Sequence, residues 1–307
     1  MAWIVYALVG QLFWSLGNIF DKFLLSKFSD DTNHSVGVLL LFSGAIGIFV
    51  TPLVLFFRPD VLMVPALGIF LLLLNGCLVL GWLSCYLYAL EIDDASTVIP
   101  LFQFIPVFGY ILGLIFLHEV LSPEKVAAGL VVIIGAFLLT IQLEESYGRR
   151  FKYQVLLLMM GASFIEASTN VLFKSIALET SFWTSTFWTY AGMALGAIVL
   201  YCCVKHYRRE FNTFMSKKMR STLGLNMTNE VIDLLGNLFF LYALILAPVA
   251  IVQTSTAFQP ILVLVLAPLI SLIVPHRMKE KMSFLSIARK SLAVTIIVVG
   301  SAHLYFL

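Results

Sequence analysis

The sequence predicts an all-α integral membrane protein whose ten transmembrane helices form two inverted five-helix repeats. Three observations support this class. Of 307 residues, 61% are hydrophobic and 12% are charged, which leaves too little polar surface for a soluble domain of this size. The apolar residues lie in blocks of about 20, the length of a helix that crosses a bilayer, and barrel strands would be shorter and alternating. The two halves of the chain also match each other at a nearly constant offset.

Ten apolar blocks reach the required length, and most are joined by very short connections. Two connections are longer, and they cover residues 205–220 and 275–290. The predicted spans cover approximately residues 3–26, 35–57, 67–91, 95–117, 123–143, 153–177, 182–204, 222–246, 248–274 and 289–306.

Basic residues concentrate on one side of this topology. The connections after odd-numbered spans and the adjoining span ends carry 16 of the 19 Lys and Arg residues, and the other side carries Arg58, Lys125 and Lys174. The positive-inside rule places the basic side in the cytoplasm, so both termini are predicted outside, in a membrane expected to be a bacterial cytoplasmic membrane. Orientation therefore explains the basic loops, and nucleic-acid binding is excluded as a reason for them.

An internal repeat divides the chain into residues 1–146 and 147–307, which form a single transport unit. Each half holds five spans, and an odd number inverts the second half relative to the first, as in many secondary transporters. At an offset of 154 the matches are Asn75 with Asn229, Tyr88-Ala89-Leu90 with Tyr242-Ala243-Leu244, Val98 with Val252 and Pro106 with Pro260, and at an offset of 152 they are Asn18 with Asn170 and Lys22 with Lys174.

The stretch STVIPLFQFIPVFGYILGLIFLHEVLSPEKVAAGLVVIIGAFLL, residues 96–139, combines a proline-bearing span, an x-E-x-L-S-P turn and a helix with Gly129 and Gly135. It resembles the fourth and fifth helices of the EamA-like branch of the drug/metabolite transporter superfamily. The second half departs from that pattern, because PHRMKEKM follows its proline-bearing span in place of a short Gly-Glu turn. The resemblance implies alternating-access transport of a small organic solute through a central cavity lined by helices 1, 3, 4, 6, 8 and 9.

Polar side chains recur three or four residues apart in otherwise apolar spans, which places them on one helix face. Charged and amide groups within a bilayer normally face a cavity, water or a partner. The side chains predicted to bind substrate are Trp14, Asn18, Asn75, Gln103, Glu166, Asn170, Glu230, Asp233, Asn237, Gln253 and Gln259.

Glu166 and Asp233 lie near the centres of their spans, too deep to reach the lipid headgroups. Each could form a structural hydrogen bond. We favour a functional role, in which each binds a proton or a cationic group of the substrate. The first half supplies aromatic residues, among them Trp14, and an acid that faces aromatic walls suits an organic cation or an amino group. A sugar phosphate is disfavoured, because no Arg or Lys lies at mid-depth.

Lys22 and Lys174 lie near opposite membrane faces, where a lysine can snorkel to the headgroups. The alternative is a symmetric pair of gates, each binding an acid on a neighbouring helix, with Glu230 as the natural partner of Lys22. Pro106 and Pro260 free backbone carbonyls within their spans and are hinge candidates.

Other classes of function remain as alternatives: a lipid or drug flippase of the same fold, an intramembrane enzyme or a channel. The sequence contains no intramembrane protease motif, metal-ligand spacing or P-loop, so no enzyme, cofactor or metal is predicted. The expected partners are a small-molecule substrate and the lipid bilayer, and the expected assembly is a monomer or homodimer.

Overall fold

The long apolar blocks form helices, because in lipid each backbone polar group must find its partner within the same segment. The computed structural model describes residues 2–29, 36–93, 98–131, 133–134, 153–217, 219–259, 261–263, 265–266, 295–296 and 299–300. The helices are α1 (Ala2–Ser29), α2 (Val36–Phe57), α3 (Ala66–Ile92), α4 (Phe104–Phe116), α5 (residues 123–131), α6 (Tyr153–Glu179), α7 (Phe182–Cys203), α8 (Met219–Leu246) and α9 (Val249–Gln253).

Within the described residues, six helices are long and apolar enough to cross a membrane, and none of these residues forms a strand. They are α1, α2, α3, α6, α7 and α8, and their ends fall close to the predicted ones. The side chains of Phe49, Leu53 and Phe56 on α2 are 64%, 58% and 80% exposed, as expected of a surface that faces lipid. The predicted all-helical membrane class is confirmed. The tenth predicted span, 289–306, lies almost entirely outside the described residues, so the count of ten stays a prediction.

Glycines allow the helices to pack closely. The main contacts join α1 to α8, α2 to α7, α3 to α6 and α7, and α4 to α6. A Cβ on Gly76 of α3 would overlap the Thr189 carbonyl oxygen of α7, and a Cβ on Gly44 of α2 would overlap Ala197. Small residues at such crossings bring helix backbones together where lipid supplies no hydrophobic drive.

Short 3₁₀ segments interrupt the fourth and ninth spans. Ile99–Gln103 precedes α4, and Thr254–Phe258 follows α9. Proline has no N–H and its ring clashes with the carbonyl four residues earlier. For Pro106 that carbonyl belongs to Phe102, inside the first 3₁₀ segment. The sequence therefore explains the break before α4, while Pro260, the other hinge candidate, lies outside the described residues.

The 205–220 connection, which the sequence analysis treats as a long loop, contains a helix, Lys205–Lys217, here named the surface helix. Its aromatic side chains Phe211 and Phe214 pack against Phe42 of α2, with ring centroids 5.4 and 5.6 Å apart. The Gly37 backbone N–H also donates to the Glu210 carboxylate, at 3.1 Å. Apolar residues spaced three and four apart within a basic segment explain why this connection is helical.

Candidate functional site

A cavity lies among the membrane helices. The centres of water molecules can occupy about 80 Å³ of it, and about 40 Å³ of an adjoining second part. Since about 10–15 Å³ holds one water, the space suits a small solute. The two parts share Trp14, Trp82, Glu166 and Tyr190 in their walls.

The cavity has more walls than the family resemblance implies. The resemblance implies a lining of helices 1, 3, 4, 6, 8 and 9. The structure adds α2, through Leu39 and Ser43, and α7, through Tyr190 and Met193. These two helices close the sides of the cavity between the pairs α1–α8 and α3–α6.

Nine of the eleven predicted binding residues line this space. Gln103 and Gln253 do not; both are buried, and the Gln253 side chain lies against Gly109 of α4. The first part is lined by Trp14, Asn18, Glu166, Glu230, Asp233, Asn237 and Gln259, and the second part adds Asn75 and Asn170.

Three carboxyl groups meet where α1, α2 and α8 converge; they are named the acidic group here. Asn229 Nδ2 donates to Asp21 Oδ1 at 2.8 Å and to Asp233 Oδ2 at 3.4 Å. Ser43 Oγ donates to Glu230 Oε1 at 2.9 Å. The Asp233 carboxylate also lies against Gly17, where any larger side chain would displace it. Neutral donors therefore hold these acids in fixed positions.

Glu166 of α6 is the fourth acid, and its setting is different. It is 5% exposed, and it lines both parts of the cavity. Among the described residues, no side chain donates a hydrogen bond to its carboxylate. Polar groups buried this deeply are normally hydrogen-bonded, so an acid without a partner here has the capacity to bind a ligand or a proton.

Aromatic rings form one wall beside these acids. Phe102 lies with its ring centroid 5.3 Å from that of Tyr86 and 6.3 Å from that of Trp82. Tyr86 also donates through its hydroxyl to Asn18 Oδ1, at 2.8 Å. No Lys, Arg or His occurs among the described lining residues. Acids, aromatic faces and no base favour a cation over an anion.

Lys174 is buried at one end of α6. Its Nζ lies 2.5 Å from Glu119 Oε1 and donates to the Ala247 carbonyl oxygen at 2.7 Å. Glu119 Oε2 accepts from the Val249 backbone N–H, at 2.7 Å, at the start of α9. The snorkelling interpretation is therefore wrong for Lys174, because the ammonium is held inside the protein by a carboxylate.

Lys22 lies at the opposite end of the bundle. Its Nζ donates to the carbonyl oxygens of Leu90 and Asp93, at 2.8 and 2.9 Å, where α3 ends. Both lysines thus bind carbonyl oxygens at the carboxyl end of a neighbouring helix, where the helix dipole favours a positive charge. Glu230, the partner expected for Lys22, accepts from Ser43.

Several residues at the site were not predicted. Asp21 lies three residues after Asn18, on the same helix face, and that spacing could have indicated it. Glu119 stands in the x-E-x-L-S-P turn, which was used only as a resemblance. Asn229 was noted only as the match of Asn75, and no sequence signal places it between two carboxylates of different helices.

The described residues contain no group of three His, Cys, Asp or Glu arranged to hold a metal ion. A polar cavity among discontinuous and glycine-packed membrane helices is typical of secondary transporters. A comparison with known families supports the same class, a membrane transporter of the drug/metabolite type.

Residues 1–141 match the EamA-like transporter family, which is part of the drug/metabolite transporter superfamily, so the resemblance predicted from the sequence is confirmed over the first half of the chain. One similar solved structure, described only as the crystal structure of a protein, aligns with a TM-score of 0.61 at 17% sequence identity, covering 97% of this chain and 96% of that chain. That likeness concerns the fold alone. Among curated proteins, none matches this chain in sequence.

Proposed function

We propose that the protein moves a small amino-bearing or cationic organic solute across a bacterial cytoplasmic membrane by alternating access, with its termini outside. The observation that supports this most is Glu166, a buried carboxylate that lines both parts of an aromatic cavity and accepts no side-chain hydrogen bond from the described residues. A buried charge is costly unless it is paired, so Glu166 would gain most from a cationic group of the solute or from a proton.

Alternating access would come from rocking two inverted five-helix repeats around this cavity. The related contacts of Lys22 and Lys174 support the proposal. Lys22 binds Asp93 O and Lys174 binds Ala247 O, and these residues are related by the offsets of the internal repeat. In this scheme each lysine contact closes one face of the bundle, and Pro106, in the first turn of α4 directly after the 3₁₀ segment, serves as a hinge.

Proton linkage through Glu166 and Asp233 is part of the proposal. A carboxylate that binds a proton in one state and a cationic solute in the other couples the two fluxes, because the two ligands compete for one charge. Asp233 already shares a donor with Asp21, so Glu166 is the residue through which we expect most of the coupling.

The test is solute uptake into proteoliposomes with an imposed pH gradient, using a panel of amino acids, amines and quaternary amines. Glu166→Gln should lower kcat/KM at least tenfold for the transported cation and remove the response to the gradient. The matched control is Glu179→Gln, the same substitution at an exposed position of the same helix, which should leave uptake unchanged. Unchanged uptake and pH response in Glu166→Gln would refute the proposal.

A further inference from the structure

The carboxyl groups of the cavity occupy two separate places. The acidic group, Asp21, Glu230 and Asp233, lines the first part, and Glu166 lines both parts. Trp14 also lines both parts. Along α1, Asp21 follows Trp14 by seven helical residues, or about 10 Å, whereas Asp233 lies against Gly17, about 4.5 Å from Trp14 along the same axis.

The charge of the cavity is unbalanced. Four acids and no base line it among the described residues. A solute with one positive charge could neutralise one of the two places and would leave the other without a counter-ion inside the protein. Buried charges are tolerated only when paired, so a solute with a positive group at each end fits both places at once.

The surfaces between the two places are apolar and aromatic. Val79, Leu83 and Met193 line the first part together with Trp82. A methylene chain would pack against these side chains, and an ammonium close to Trp82 would also gain from the ring face.

The cavity also contains a neutral hydrogen-bond acceptor. Gln259 is 4% exposed and lines the first part, and its Oε1 has no hydrogen-bond partner within the described part of the chain. A primary ammonium carries three donors, more than one carboxylate oxygen can use. Gln259 Oε1 and the Glu166 carboxylate can therefore both accept from a ligand rich in N–H groups.

We infer that the transported solute is a linear aliphatic dication, a diamine or polyamine, with one ammonium at Glu166 and the other at the acidic group. The inference rests on the proposed function, since it names the substrate class of the same cavity.

The experiment compares three solutes of equal chain length in proteoliposomes: 1,4-diaminobutane, n-butylamine and 4-aminobutyrate. We expect 1,4-diaminobutane to show a KM at least tenfold below that of n-butylamine, and 4-aminobutyrate to be excluded, because its carboxylate would meet an acidic wall. Equal KM values for the two amines would overturn the dication and leave the proposed function standing. Transport of 4-aminobutyrate but neither amine would also overturn the dication and leave the proposed function standing, because 4-aminobutyrate is amino-bearing. The proposed function fails separately, if uptake and its pH response are unchanged in Glu166→Gln.

Variants locate the two ends of the solute. Glu166→Gln and Asp21→Asn should each reduce the preference for 1,4-diaminobutane over n-butylamine at least fivefold, because each removes a carboxylate from one of the two places. Glu179→Gln should keep the preference. Binding can be measured as the increase in unfolding temperature that 1,4-diaminobutane causes. This increase should be smaller in Glu166→Gln and Asp21→Asn than in Glu179→Gln. A variant that folds but shows a smaller increase has lost recognition of the solute and has kept its fold. A preference that survives both substitutions would overturn the assignment.

Discussion

Two helix pairs line the cavity, and they hold their acids differently. On the α1–α8 pair, Asp21 and Asp233 share the amide of Asn229. On the α3–α6 pair, Glu166 has no donor among the described residues. Acids held by neutral donors define the shape of one wall, whereas Glu166, which has no donor within the described part of the chain, is the acid available to a solute. The difference teaches that burial of a carboxyl in a membrane bundle does not by itself mark a binding residue; its partners do.

The largest effect is expected where α6 is anchored to the turn after α4 and to the start of α9, at the ion pair of buried Lys174 and partly buried Glu119. Lys174→Met would leave the Glu119 carboxylate without its counter-ion, and breaking a buried pair in this way costs about 3–5 kcal/mol. Unfolding in detergent micelles, followed by circular dichroism, should show a stability loss of this order.

The control for this anchor is the double variant Lys174→Met with Glu119→Gln, which removes the stranded charge and should recover part of the loss. If Lys174→Met alone were as stable as the wild type, the pair would not anchor α6, the helix that carries Glu166, and the contrast between the two walls would weaken.

The sequence predicts where the helices lie along the chain far better than which of their side chains pack against other helices or line the cavity. Block length and hydropathy place α1, α2 and α3 within a few residues, because a span must be long and apolar whatever it packs against. The surface helix was missed because its apolar stripe is read as a helix only once Phe42 is known to lie beneath it. The 3₁₀ segment before α4 has a local cause in Pro106, but its length depends on tertiary contacts.

The residues of the candidate site are likewise only partly predictable from the sequence. Helical spacing brings Asn18 and Glu166 to the cavity, since polar residues in apolar spans turn inward. The same rule also selects Gln103 and Gln253, which are buried among other contacts. Asp21 was passed over in favour of Lys22, one residue later, because spacings of three and four are both compatible with one face. Only packing against α8 decides between them.

The next largest effect on stability is expected from glycine substitutions. They compare how closely the helices of each wall pack against their neighbours. In Gly76→Ala the new methyl meets the Thr189 backbone carbonyl of α7, whereas in Gly17→Ala it meets the Asp233 side chain, which can move. Overpacking costs about 1–3 kcal/mol, and the backbone obstacle should place Gly76→Ala at the upper end.

Gly161→Ala is the matched control, because a Cβ there meets nothing within 4 Å and alanine is the better helix former by about 0.5–1 kcal/mol. The unfolding order should be Gly76→Ala least stable, then Gly17→Ala, then Gly161→Ala at or above the wild type. Gly17→Ala should also lower uptake, because it displaces an acid of the cavity. If Gly17→Ala were less stable than Gly76→Ala, the argument that a backbone carbonyl yields less than the Asp233 side chain would be contradicted.

Removing the shared donor of the α1–α8 wall should have a somewhat smaller effect. Asn229→Leu leaves two carboxyl groups without their amide, and an unsatisfied buried group costs about 1–3 kcal/mol. The loss in the free energy of unfolding should be larger at pH 8 than at pH 5. At the lower pH a protonated carboxyl group can donate a hydrogen bond to its neighbour and replace part of what the amide supplied. A loss of equal size at both pH values would show that the amide matters for packing alone.

The smallest effect is expected outside both walls, at the surface helix. Burial, together with the charge of Glu91, raises the pKa of Glu210 to about 7, although the Gly37 N–H opposes the shift. His206 Nε2 lies 2.8 Å from Glu210 Oε1 and faces the same carboxyl. Since the folded-state pKa lies above that of the unfolded chain, the folded protein binds the proton more tightly. Stability is therefore greatest below about pH 4.5 and falls as the pH rises towards 7.

Glu210→Gln keeps an acceptor for Gly37 and removes the titration. The variant and the wild type should unfold alike at pH 5, and the variant should be the more stable by up to about 1 kcal/mol at pH 8, when Glu210 is ionised in the wild type. His206→Gln separates the contribution of the imidazole. A stability difference that is the same at pH 5 and pH 8 would mean that Glu210 does not titrate in this range. The contacts between the surface helix and α2, through Phe211, Phe214 and the Glu210–Gly37 hydrogen bond, would then be independent of pH in this range.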